Sequence, residues 1–290
     1  MKPIVQRDSV QLGPHIIAED QPVRFIAELG VNHLGDFCRM KEMIHSAVES
    51  GADYLKFQTY LANRRYDQRS NPKAGEFEKN VARWQFSREE EACLWEYAHK
   101  LGATVFTSVF DVDSVDFADE VGTVAYKIAA FEVTNRKLVR RVAEKGKPVL
   151  LSRGMISKME LDATVAILKN LNIPVIILHT ISSYPLQKND SHLRMIHTLR
   201  ELYTCPIGHS DHTLGTELPP LAVAAGATII EKHFTVTPKS RESDNFFSIT
   251  SRDLESIIFR IRQVEKIMGR GDVVTIPAED FMRDFRRTSD

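Results

Sequence analysis

Three short stretches of this chain set chemistry-bearing side chains two residues apart: Lys56 with Gln58, Ser210 with His212, and Glu231 with His233. On a β-strand, residues i and i+2 share one face, so each pair points the same way, and the neighbours Leu55 and Phe57 face the opposite side. A lysine on an apolar strand is costly to bury without an anionic partner. Lys56 and Lys127 both stand on such stretches and ask for an anion between them, a phosphate or carboxylate carried by a substrate. His212 and His233 close neighbouring strand-like segments. Adjacent strands lie about 4.8 Å apart, so two imidazoles there can converge on one divalent cation with positions left for substrate and water. The same spacing serves equally well for two hydrogen-bonded histidines at strand ends. Glu28 and Glu231 are the carboxylates suited to proton transfer. A structural ion pair with Lys56, Lys127 or Lys232 is the alternative use of each. The remaining histidines, His33 and His179 apart, read as surface or packing residues.

These residues need a scaffold that gathers strand ends in one place. Eight branched, apolar stretches recur along the chain: 25–32, 54–60, 103–110, 125–130, 148–154, 175–184, 206–212 and 227–234. Amphipathic segments lie between them and after the last, such as 88–102, 137–147, 158–172 and 253–269, several ending in Gly or Asn as left-handed caps do. Strand-then-helix units in this number predict a (β/α)8 TIM barrel, in which catalytic groups sit at the carboxyl ends of the strands. There the strand-like segments end polar, with Ser108, Ser152, Ser182, Tyr184 and Ser210 beside the residues above. Residues 9–22 read as a short β-hairpin plugging the amino-terminal mouth. The polar stretch 61–86 is too long for a routine connection and reads as a lid. The expected divisions are 1–22 for the hairpin, 23–270 for the barrel and 271–290 for a tail.

Composition narrows the partners. Lys plus Arg number 38 against 39 for Asp plus Glu, a net charge of -1, which provides no broad field to gather nucleic acid or an anionic membrane. No apolar run reaches the roughly 20 residues of a membrane span, and no export-type leader precedes the barrel, so a cytoplasmic location is expected. Three cysteines, Cys38, Cys93 and Cys205, follow no metal spacing and read as buried thiols in a reducing compartment.

The segments AELGVNHLGD, YLKFQTY, AYKIAAFEVTN, LLSRGM, LHTISSYP, PIGHSDHTLG and IIEKHFT resemble, in the same order, signature segments of the sialic acid synthase family. The resemblance spans roughly residues 23–269. Members of that family condense phosphoenolpyruvate with an N-acetylated sugar aldehyde. The resemblance implies that Lys56, Lys127, Ser108, Ser152, Ser182 and Ser210 hold phosphoenolpyruvate, and that His212 and His233 ligate a divalent metal, Mn2+ or Mg2+. It further implies that Gln58, Tyr184 and Asp244 address the sugar, and that Glu28 and Glu231 handle protons or position water. Small-molecule substrates are thus the expected partners, with a homodimer as the family's usual assembly.

Departures from the family pattern qualify the acceptor. Ala130 and Phe131, before Glu132, stand where the family has Ser-Gly, and Arg153 replaces a threonine, Val109 a proline, Leu34 an asparagine and Asn245 a histidine. A guanidinium from Arg153, or from Arg241 near Asp244, would either restore anion binding by a different route or recognise an acidic group on another substrate. The family continues into a small antifreeze-like domain, whereas the sequence here stops at DFRRTSD, about where the linker to that domain begins, so the expectation is a tail in which that domain is either absent or truncated. The leading expectation is condensation with an N-acetylmannosamine-like aldehyde. Its alternatives are the same chemistry on another aldose and a binding paralogue that has lost turnover.

Overall fold

Eight parallel strands close a barrel, and the branched stretches of the sequence supply all of them. The computed structural model describes residues 7–65, 74–269, 271 and 273–287. Parts of four expected segments lie outside the described residues: 1–6 of the hairpin segment, 66–73 of the lid stretch, 270 at the end of the barrel segment, and 272 and 288–290 of the tail. A two-stranded antiparallel hairpin, β1 (Val10–Leu12) and β2 (His15–Ile17), comes first. The barrel strands are β3 (Arg24–Glu28), β4 (Tyr54–Thr59), β5 (Val105–Val109), β6 (Tyr126–Ile128), β7 (Val149–Ser152), β8 (Val175–Thr180), β9 (Ile207–Asp211) and β10 (Ile229–His233). Their order around the barrel is β10-β3-β4-β5-β6-β7-β8-β9.

The helices follow the strands: α1 (Phe37–Glu49), α2 (Ala62–Arg65), α3 (Ala74–Trp84), α4 (Arg88–Lys100), α5 (Val112–Glu120), α6 (Arg136–Ala143), α7 (Lys158–Asn170), α8 (Arg194–Leu202), α9 (Leu218–Ala224), α10 (Ser251–Met268) and the short α11 (Asp280–Arg283). Among the described residues, no helix is long and apolar enough to cross a membrane.

Alternation along the strands sorts two cores. Outward residues such as Phe25, Leu55, Phe57, Val149 and Ile177 pack with the helices in one large cluster. Inward residues Ile26, Tyr54, Phe106, Leu150, Ile176 and Ile229 form a second cluster with Val10, Leu12 and Ile17 of the hairpin. The hairpin thus closes the floor of the lumen, and the Tyr54 hydroxyl donates to the Leu12 carbonyl at 2.9 Å. Gly208 takes a lumenal position because a Cβ there would meet the Ile229 carbonyl oxygen at 2.6 Å. One step nearer the carboxyl ends, the inward positions turn polar.

Several expectations need correction. β3 stops at Glu28 rather than Asn32, and β8 at Thr180 rather than Tyr184, because the chain turns there, with Gly30 at φ +53°. Ser182 and Tyr184 therefore sit on a loop. Residues 112–120 form α5, which the acidic sequence hides; Asp111 caps it by accepting from the Ser114 amide, and Val115 and Ala118 are buried. Residues 74–84 of the lid stretch are helical. Only Cys205 is buried; Cys38 and Cys93 lie on exposed faces of α1 and α4, off the stripes that pack inward.

Candidate functional site

A cavity of about 440 Å³ opens at the carboxyl ends of the barrel strands. Its lining includes twelve of the thirteen residues singled out from the sequence: Glu28, Lys56, Gln58, Ser108, Lys127, Ser152, Tyr184, Ser210, His212, Glu231, His233 and Asp244. Ser182 is not in that lining; its hydroxyl packs over Gly154, where an added Cβ would approach it within 2.4 Å.

The deep tier is built from register. Glu28 lies opposite Lys56 on β4, Ser108 opposite Lys127 on β6, and Ser210 opposite Glu231 on β10. Lys56 Nζ meets Glu28 Oε2 at 2.5 Å and Glu231 Oε2 at 3.7 Å, and donates to Ser108 Oγ at 2.8 Å. Lys127 Nζ donates to Glu231 Oε1 at 3.1 Å, and the Ser210 hydroxyl donates to the same oxygen at 2.8 Å. The two lysines thus have carboxylate partners within the chain, the ion-pair arrangement that the sequence offered as the alternative use of Glu28 and Glu231. Lys232 has no part in this. It points outward and pairs with Asp211 at 2.6 Å.

Burial acts unequally on the two carboxylates. Burial raises the Glu28 pKa above its ordinary value, and Lys56 offsets this only in part. Burial also pushes Glu231 upward, but Lys127 and Lys56 overcome it and hold this carboxyl at about 2. Glu231 therefore stays ionised, while Glu28 is the one inclined to carry a proton, the separation that acid–base pairs use. Burial lowers the Lys127 pKa, with Glu231 opposing.

His212 and His233 face each other across β9 and β10, with ring centroids 5.6 Å apart. His212 Nδ1 donates to the Ile181 carbonyl at 2.9 Å, which turns its other nitrogen toward use as a lone pair. Burial drives His212 down to about 3, and its neighbour His233 adds to the shift. Burial lowers His233 too, against the pull of Asp244, whose carboxylate is 3.6 Å from Nδ1. Both rings are neutral at ordinary pH, the form a metal requires. His233 Nδ1 is buried without a hydrogen-bond partner. These features fit a cation held by two imidazoles. Among the described residues, no group of three or more His, Cys, Asp or Glu side chains is gathered as a metal site, so further ligands would come from substrate and water.

The outer tier frames the mouth. Tyr184 lies against His212, centroids 4.2 Å apart, and Phe247 backs both histidines. The loop carrying Asp244 is tied down by Asn245, whose side-chain amide donates to the Asn32 carbonyl at 3.2 Å and the Glu242 carbonyl at 3.0 Å. Gln58 Nε2 donates to Glu28 Oε1 at 2.7 Å. Ala130 and Phe131 line the cavity, Phe131 being 62% exposed.

Sequence reading missed Thr180, whose hydroxyl lies 3.2 Å from that of Ser152, although its inward parity with Leu178 marks it. It also missed Arg65, which lines the cavity where Arg153 and Arg241 do not. The length of the connection after β4 was the available signal. Of the two exempted histidines, His33 stacks on Phe86 at 4.4 Å, and His179 faces outward, bonded to the Ser191 carbonyl at 2.8 Å.

Comparison with known proteins places these features in company. A family model described as the NeuB family matches residues 43–273. An uncharacterized protein of Methanocaldococcus jannaschii is 35% identical over 97% of this chain and 82% of its own length. An N,N'-diacetyllegionaminic acid synthase of Legionella pneumophila is 33% identical over 85% of this chain and 73% of its own. The crystal structure of an N-acetylneuraminic acid (sialic acid) synthetase from Leptospira borgpetersenii, in complex with citrate, superposes with a TM-score of 0.90 at 35% identity, covering 97% of this chain and 96% of that one.

Proposed function

Because the chain belongs to the NeuB family, we propose that it joins phosphoenolpyruvate to an open-chain acylamino sugar aldehyde, N-acetylmannosamine or a relative of it. The products are a sialic-acid-type 2-keto acid and inorganic phosphate. The unit that does this is the barrel of residues 23–270, with 1–22 as its plug and 271–290 as a tail. The observation that carries the reading is the buried quartet of Lys56, Lys127, Glu28 and Glu231 lying in one cavity with two neutral imidazoles.

Phosphoenolpyruvate is small and carries a phosphate and a carboxylate, which suits the deep tier. Lys56, Lys127 and the hydroxyls of Ser108, Ser152 and Ser210 are donors at that depth. Proton uptake by Glu28 loosens its hold on Lys56 and leaves that ammonium group for the incoming anion. A divalent cation held by His212 and His233, manganese or magnesium, would supply Lewis-acid polarisation of the aldehyde oxygen.

The bonding changes then follow from the carboxylates. Carbon 3 of phosphoenolpyruvate bonds to the aldehyde carbon, and the aldehyde oxygen takes the proton of Glu28, which lies opposite His233 in the β10–β3 register. Carbon 2 becomes positive and is supported by the ionised Glu231. Water adds there and gives its proton back to Glu28. The resulting hemiketal phosphate breaks its carbon–oxygen bond, and its hydroxyl proton leaves with the phosphate, so the keto group remains.

The test is incubation with phosphoenolpyruvate, Mn2+ and a panel of aldoses, following phosphate release and product mass. Release with an acylamino sugar, with a product three carbons longer, supports the reading. Release only with other aldoses moves the acceptor, and tight binding of phosphoenolpyruvate without release from any mixture overturns catalysis.

A further inference from the structure

Lys232 and Asp211 lie outside the cavity and take no part in the bonding changes of condensation. They are register partners on β10 and β9, and each comes one residue before a histidine of the cation site. Strand alternation therefore turns them into the helix shell while His233 and His212 point into the lumen. Both are 1% exposed. Lys232 Nζ donates to Asp211 Oδ2 at 2.6 Å and to the Thr213 carbonyl at 2.7 Å. The other carboxylate oxygen, Oδ1, accepts from the Thr213 amide at 2.9 Å and from the Thr213 hydroxyl at 2.8 Å.

Stability is a poor reason for this arrangement. Two buried charges lose their hydration, and an apolar pair of similar volume joins two strands as well or better. What an apolar pair lacks is direction. The four bonds fix residues 211 and 213, and with them the backbone of His212 in between. On its other side the Leu186 amide donates to the His212 carbonyl at 2.9 Å. Lys232 carries the clamp across to β10, next to His233. The ion pair thus ties together, behind the sheet, the two backbones whose imidazoles face each other with centroids 5.6 Å apart. Metal–ligand distances tolerate only about 0.2 Å, so a site with two protein ligands depends on how those two are spaced.

We propose that Lys232 and Asp211 are positioning residues for the cation site: their ion pair, anchored on Thr213, sets the separation of His212 and His233 without touching metal or substrate. This rests on the metal assignment within the condensation reading and adds what holds the two ligands in place.

The experiment uses wild type, Asp211→Asn and the double variant Lys232→Met with Asp211→Leu. The double variant removes both charges and fills their volume, so it leaves no stranded ion, but nothing in it ties down the turn at Thr213. Mn2+ affinity is read from the spin resonance of free Mn2+, and phosphoenolpyruvate binding by calorimetry with a chelator present. The double variant should bind Mn2+ about 10- to 100-fold more weakly, with phosphoenolpyruvate binding unchanged. A merely structural pair would move neither, or both together. Wild-type Mn2+ affinity in the double variant, or an equal loss of both ligands, overturns the assignment. If the double variant does not fold, Asp211→Asn decides, because it keeps an acceptor for Thr213 and loses the charge that holds Lys232: weaker Mn2+ binding supports the role and wild-type binding overturns it. Wild type that binds Mn2+ but releases no phosphate from any mixture overturns the condensation reading instead, while wild type that binds no Mn2+ overturns the positioning role.

Discussion

Replacing Lys127 by Met removes one of the two ammonium groups from the lumen and keeps its apolar bulk. Glu231 is then left with Lys56 at 3.7 Å and the Ser210 hydroxyl at 2.8 Å as its supports. Stranding one member of a buried ion pair costs roughly 3–5 kcal/mol, and the remaining lysine places this case near the lower end, about 3 kcal/mol. For a chain of this length that corresponds to a Tm fall of roughly 5 °C. Adding Glu231→Gln removes the stranded charge, so the double variant should be less destabilised than the sum of the singles, with a coupling of about 2 kcal/mol. The assay is urea unfolding of the four proteins, with midpoints compared at equal slope. The pH dependence supplies a second readout. Glu231 is held at about 2, below its usual 4.5, so its contribution is present above about pH 4.5 and fades as the pH falls toward 2. In Lys127→Met the folded-state value moves up toward 4.5, so the loss should be smaller and be complete at higher pH. Wild-type stability in Lys127→Met, or strict additivity in the double variant, would refute the reasoning.

Three further outcomes follow. His233→Asn should lower phosphate release by at least about 100-fold and weaken Mn2+ binding, and chelation of wild type should abolish release until Mn2+ is restored; unchanged metal binding by the variant would contradict the assignment. Burial raises Glu91 to about 6 against the pull of Thr59 and Arg88, so its contribution to stability is fully present below about pH 4.5 and is lost as the pH rises through 6. Glu91→Gln should remove that slope, worth about 2 kcal/mol, from urea midpoints measured between pH 4.5 and 7, and an identical slope would count against it. Tyr54→Phe strands the buried Leu12 carbonyl and should cost about 1–3 kcal/mol by denaturation, while an unchanged midpoint would show that the hairpin does not depend on this bond.

Parity made most of the cavity legible in advance. Lys56 and Gln58, Ser210 and His212, and Glu231 and His233 share inward faces because strands alternate, and the barrel's closure brings those faces together. Parity could not show which nitrogen meets which oxygen. Lys127 and Glu231 are 104 residues apart, and their contact depends on the stagger of the closed barrel. Arg65 escaped notice because the segment after β4 has no periodicity from which to read a face. Residues 112–120 hid a helix because acidic side chains outnumber the two apolar ones, Val115 and Ala118, that it buries. Cys38 and Cys93 were misplaced because residue type predicts burial only on average, whereas helix phase sets it for a given position. In α1 the inward stripe is Met40, Met43, Ile44 and Ala47, and Cys38 falls outside it.

The most direct test is to run the reaction with Mn2+, phosphoenolpyruvate and an acylamino aldose in water enriched in oxygen-18. Water attack at carbon 2, followed by carbon–oxygen cleavage, predicts unlabelled phosphate and a longer 2-keto acid carrying the label. Labelled phosphate, the mark of simple phosphorus–oxygen hydrolysis, would contradict the account.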